Sequence, residues 1–113
     1  MPVLIEVLSF DGCPHSGSTL ELVERVVDAL QVEASVRIVN IPDVDAAVEH
    51  RFLGSPTIRV NGRDVEPGAD ERTDYTLACR IYASEHGLAG QPDEKWVRDA
   101  LRGAVAMKAD ALP

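Results

Sequence analysis

The sequence predicts an α/β protein: a four-stranded mixed sheet flanked by helices, in the order β-α-β-α-β-β-α. Three observations carry this. The apolar run Val3-Leu4-Ile5-Glu6-Val7-Leu8, a helical pattern and a second β-branched run, Val36-Arg37-Ile38-Val39-Asn40-Ile41, follow one another within the first forty-one residues. Such a strand–helix–strand unit has a right-handed crossover, which makes its strands parallel. A third strand, opening on Pro56, stops at Asn61-Gly62, a strong reversal signal. The chain then closes with an amphipathic helix after Pro92.

The first strand is short, β-branched and ended by Asp11-Gly12. Leu20, Leu22, Val23, Val26, Val27 and Leu30 then recur at helical spacing, with Glu21, Glu24, Arg25 and Asp28 between them, and the helix ends near Gln31. Pro42 ends the second strand. Asp43 or Asp45 suits the cap of a short second helix, with Val44, Ala47, Val48 and Phe52 on its inner side and Gly54 at its end. Residues 63–74, charged and carrying Pro67-Gly68, read as a surface loop longer than a tight hairpin. Leu77-Ala78-Cys79-Arg80-Ile81-Tyr82 reads as the fourth strand, and Gly87-Leu88-Ala89-Gly90 as a turn. Pro92 opens the last helix, with Asp93 and Glu94 in its first turn and an apolar face of Trp96, Val97, Ala100, Leu101, Ala104 and Val105. Residues 108–113 are expected to fray.

The chain has 113 residues, 45% hydrophobic and 27% charged, which suits a single domain over 1–113 with its own core. Aromatic residues make up only 4%, so that core must be built from Val, Leu, Ile and Ala. The net charge is −8 and no two Lys/Arg residues are adjacent, which argues against a nucleic-acid or anionic-membrane surface but leaves room for a small local basic site. No apolar stretch approaches a membrane span and no signal-peptide pattern is present, so a cytoplasmic location is expected. In that setting two distant cysteines point to reactivity or burial rather than a structural disulfide.

The chemistry centres on Phe10-Asp11-Gly12-Cys13-Pro14-His15-Ser16-Gly17-Ser18. Cys13 falls where a strand ends and a helix begins, and Pro14 suits a first helical position. Unpaired N–H groups and the helix dipole at such a start favour a thiolate. His15, if protonated, would push the same way.

Cys-x-x-Ser after the first strand and Gly-Ser-Pro-Thr before the third, in this element order, resemble the thioredoxin fold from about Val3 to Val105. The resemblance implies that Cys13 is the nucleophile and that Ser16 stands where a resolving cysteine would be. It also implies that Pro56 is a cis-proline facing the site, and that the backbone of Ser55, Pro56 and Thr57 meets an extended substrate or a glutathione moiety. Ser16 has no redox chemistry, so the chain is similar to the monothiol branch, whose second thiol comes from a disulfide- or thiol-bearing protein or a small thiol. No cofactor is implied. The far half, with Gly-Ser-Pro-Thr-Ile-x-Val-x-Gly-Arg-Asp, Cys-Arg-Ile-Tyr and Gly-Leu-Ala-Gly, also resembles small proteins labelled alkylmercury (organomercurial) lyase-like. That resemblance implies thiolates of Cys13 and Cys79 on mercury, with Asp11 as the nearest acid.

Each residue has a plainer reading. Cys13 could fill a gap at a helix start, His15 could be a solvated neighbour, and Ser16 could cap the helix, hydrogen-bond the thiolate, or do both. Cys79, alternating with Leu77 and Ile81, is either an inert buried strand cysteine or a second thiol. Arg80 and Tyr82 would face the other side, which implies an edge or a partner. Two cysteines and three scattered histidines form no metal-ligand spacing. The oligomeric state is left open. The functional expectations are therefore a monothiol exchange protein, a mercury-handling protein, or a non-catalytic thioredoxin-like binding module.

Overall fold

The structure is a computed structural model that describes residues 2–110. In chain order it contains β1 (Val3–Ser9), α1 (Ser16–Leu30), β2 (Ala34–Asn40), α2 (Val44–Glu49), β3 (Thr57–Val60), β4 (Arg63–Asp64), a 3-10 turn (Ala69–Glu71), β5 (Tyr82–Ser84), β6 (Gly87–Ala89) and α3 (Glu94–Asp110). The chain is thus α/β, with a four-stranded mixed sheet in the order β2-β1-β3-β4. β1 and β2 are parallel, while β1–β3 and β3–β4 are antiparallel.

Alternation along β1 divides the core. Val3, Ile5 and Val7 join Leu22, Val23 and Val26 of α1, Val97 and Leu101 of α3, and Ile58 and Val60 of β3 in the larger cluster. Full burial of each such side chain contributes about 1.5–3 kcal/mol, so the shared burial of α1 and α3 holds both helices on this face. Leu8 points the other way and packs with Ile41, Ala47 and Phe52. α2 therefore covers one end of the opposite face.

The fourth strand differs from expectation. Asn61 and Gly62 both take the left-handed conformation (φ 51° and 85°), and Val60 pairs directly with Arg63. This two-residue turn makes residues 63 and 64 the fourth strand at once, where a longer loop was expected. The Asn61 side chain accepts from Leu4 N (2.9 Å) and its backbone N–H donates to Leu4 O (2.7 Å), clamping the turn to β1. With that edge taken, residues 77–82 do not join the sheet. Residues 78–80 lie along the loop before β3, and Tyr82 begins a separate hairpin with β6, so the expected turn at 87–90 is mostly strand.

Smaller differences follow local bonding. Asp43 caps α2 by accepting from Ala46 N at 2.8 Å, but Val44 and Val48 are 62% and 55% exposed. A helix this short turns only one face inward, and Ala47 occupies it. Gly54 lies in the following loop rather than ending the helix. Pro92 and Asp93 precede α3, with Asp93 accepting from Lys95 N at 2.8 Å. α3 is helical through Asp110, past Lys108 where fraying was expected, and positions 111–113 of that expectation lie outside the described residues. Among the described residues, no helix is long and apolar enough to cross a membrane.

Candidate functional site

Cys13 closes the tight turn that leaves β1. Its N–H donates to Phe10 O (3.2 Å), with Gly12 at φ +89°, a conformation that favours glycine. α1 begins at Ser16, so Cys13 and Pro14 lie in the turn before it rather than in its first turn. Cys13 O instead accepts from Ser16 N (3.4 Å) and from Ser16 Oγ (3.2 Å). The Ser16 hydroxyl therefore serves the Cys13 carbonyl, and α1 has no side-chain cap. Cys13 is 8% exposed, while Asp11 and His15 are exposed beside it. A Cβ on Gly90 would run into the His15 ring, and Ser18 Oγ is 2.7 Å from Gln91 Oε1, so the segment after β6 lies against the start of α1.

The second half of the site comes from sheet register. Leu8 stands opposite Thr57, so the loop entering β3 lies beside the end of β1 from which the Cys13 turn departs. The Ser55–Pro56 peptide is cis. Ser55, Pro56 and Thr57 are all buried. The Ser55 backbone is already engaged, its N–H donating to Ala78 O (2.9 Å) and its carbonyl accepting from Arg80 N (2.9 Å). Residues 78–80 thus occupy the backbone edge at which an extended ligand was expected. Ser55 Oγ is buried and has no hydrogen-bond partner.

Arg80 locks that segment in place. Its side chain is 2% exposed and donates to Asp64 (2.7 and 3.2 Å), Glu66 (3.0 Å) and Thr57 Oγ1 (2.9 Å). Its guanidinium carbon sits 4.4 Å from the Tyr82 ring centroid, a cation–π distance. Burial works against the charge, but the hydrogen bond and attraction of Asp64, with Tyr82 and Glu66, outweigh it and raise the Arg80 pKa. Tyr82 donates its hydroxyl to Pro56 O (2.6 Å), and burial pushes its phenol far above the ordinary value.

Gly54 makes the approach possible. It sits at φ +125°, and a Cβ there would stand 2.9 Å from Arg80 Cβ and 3.1 Å from Ala78 O. Gly54→Ala is expected to destabilise the protein by about 1–3 kcal/mol, with faster amide exchange at Ser55 and Arg80. An unchanged melting temperature would show that the 78–80 segment does not depend on this close approach.

The two thiols are placed opposite to the simplest expectation. Cys79, the candidate for an inert buried cysteine, is exposed, and Cys13 is the buried one; both are free. The reason is topological: Cys79 forms an isolated bridge with the buried Ser55 and turns its own side chain to solvent instead of sitting inside a sheet strand. Arg80 and Tyr82, expected at an open edge, are buried. Sequence reading missed the network of Asp64, Glu66, Arg80 and Tyr82. Its one available signal was an arginine within an apolar run, with acidic residues in the preceding loop. Comparison of the chain with protein-family models and with curated proteins finds no match.

Proposed function

We propose that this chain is a cytoplasmic thioredoxin-like protein that uses Cys13 as a single attacking thiol in thiol–disulfide exchange. The observation supporting this reading is the β1–β3 register, Leu8 opposite Thr57, which sets the Cys13 turn and the Ser55–Pro56 loop at one end of the sheet. Two free cysteines suit a reducing compartment. The Cys13 thiolate attacks one sulfur of a disulfide, the S–S bond breaks, and the other sulfur leaves as a thiolate that takes a proton from water. A small thiol then attacks the mixed disulfide, returning the Cys13 thiolate and carrying away the new disulfide. Residues 78–80 would have to release Ser55 before a peptide could pair there.

Cys13→Ser is expected to abolish turnover of a small disulfide by a thiol reductant, while Cys79→Ser retains most of it. Wild-type turnover in Cys13→Ser would defeat the proposal. A mercury-handling reading is favoured by one observation, the bridge that sets Cys79 beside Ser55. One mercuric ion bound per chain, lost in either cysteine variant, would support it. The engaged Ser55 backbone favours the non-catalytic binding module instead, and that reading requires no turnover in the wild type.

A further inference from the structure

Four arginines spread over residues 51–72 converge on the sheet face opposite α1 and α3. Arg51, Arg59, Arg63 and Arg72 line a pocket of about 190 Å³, with Tyr75 at its wall. The pocket opens beside β3, where Arg59 alternates with the inward-facing Ile58 and Val60. A concavity of this size has room for one small anion.

The charges here are unevenly answered. Arg63 pairs with Asp70 (3.5 Å), itself part of the lining, and Arg72 pairs with Asp74 (2.6 Å) and Glu66 (3.5 Å). Asp64, which also lines the pocket, is committed to Arg80. Among the described residues, Arg51 and Arg59 form no carboxylate pair. Arg51 Nε donates to the Tyr75 hydroxyl (3.1 Å), and Arg59 Nη2 donates to the carbonyls of His50 (2.6 Å) and Arg51 (3.1 Å). Each guanidinium has further N–H donors beyond these bonds. Burial, with Arg80 and Arg51 as like-charged neighbours, holds the Arg59 pKa below its ordinary value despite Asp64 and Glu6. A chain of net charge −8 therefore concentrates unanswered positive charge in one concave spot.

We propose that this pocket is a binding site for a phosphate-class oxyanion, held by Arg51 and Arg59 with Arg63, Arg72 and the Tyr75 hydroxyl around it. A planar carboxylate satisfies one guanidinium fork, whereas a tetrahedral oxyanion offers acceptors to donors arriving from several directions. The site is independent of the Cys13 chemistry and stands whether or not that reading does.

The test is titration calorimetry of inorganic phosphate into the full chain at constant ionic strength, with acetate and glycerol phosphate as parallel ligands. Phosphate is expected to bind one site with millimolar affinity, and Arg51→Gln to weaken it about tenfold, the loss of one charge-assisted bond. Arg51 is exposed, so this variant is expected to keep the wild-type melting temperature. The Arg51 and Arg59 Nε–H resonances should shift on titration. Equal binding of glycerol phosphate would identify a phosphoester head as sufficient, and phosphate binding alone a free-phosphate site; both support the assignment. Acetate binding as tightly as phosphate, no heat beyond a chloride control, or unaltered affinity in Arg51→Gln would overturn it.

Discussion

Replacing Arg80 by Ala is expected to cost about 3–5 kcal/mol of unfolding free energy, a large share of the 5–15 kcal/mol typical of a domain. Most of that loss comes from what is left behind. Asp64 and Glu66 are side-chain exposed by only 9% and 17%; without the guanidinium Asp64 loses its ion pair and Glu66 keeps only Arg72 at 3.5 Å, in a poorly hydrated site. The Tyr82 ring also loses its cation, and Thr57 Oγ1 loses a donor. Urea denaturation reads the effect directly. Hydrogen exchange adds location, since the amides of Ser55 and Arg80, bonded to Ala78 and Ser55 respectively, should lose protection first. A companion variant, Arg80→Met with Asp64→Asn and Glu66→Gln, should recover much of the stability because no buried carboxylate is left without its cation. A loss below about 1 kcal/mol in Arg80→Ala would mean that the pairs behave like exposed ones.

The second large effect is a gain. Ser16→Cys is expected to form a disulfide with Cys13 on oxidation and to add dithiol-type reductase activity toward a small protein disulfide with dithiothreitol. Cys13 O and Ser16 N are 3.4 Å apart, and a turn closed in this way keeps the two Cα atoms within about 7 Å, the outer limit for a disulfide. The substitution should cost little. Ser16 is not a helix cap, and its hydroxyl makes one bond to Cys13 O, worth about 0.5–1.5 kcal/mol. Adding Cys13→Ser should remove the gain, and adding Cys79→Ser should preserve it. A folded variant whose adjacent thiols never pair would count against the geometry of the Cys13 turn. A gain that required Cys79 would move the two-thiol mercury reading ahead of single-thiol exchange.

The anion pocket and the Arg80 network share a cause for having been invisible in the sequence. No two Lys/Arg residues are adjacent, and the arginines at 51, 59, 63 and 72 meet only because the β3–β4 hairpin brings Arg59 and Arg63 to Arg51, just after α2, and to Arg72, just after the 3-10 turn. Cys79 carries the same lesson in reverse. Its alternation with Leu77 and Ile81 suggested one buried face of a strand, but alternation marks a buried face only within a sheet covered on that side, and residues 77–81 lie outside the strands.

The sequence by itself determined the local elements whose signals are short-range. β1, α1 and β2 followed from apolar periodicity, the reversal at Asn61-Gly62 from the need for left-handed backbone, and the α2 cap was narrowed to Asp43 or Asp45, of which Asp43 makes the bond. It also located Cys13 just after the first strand and Pro56 just before the third. Only the tertiary structure decided which segment supplies the fourth strand, because that choice depends on which chain reaches the β3 edge first. A two-residue turn brings Arg63 and Asp64 there with almost no loop to close, whereas residues 77–82 would have had to order a long loop. Displaced from the sheet, that segment found its bonds at Ser55. Its arginine was buried against Asp64 and Glu66, and its cysteine was left facing solvent.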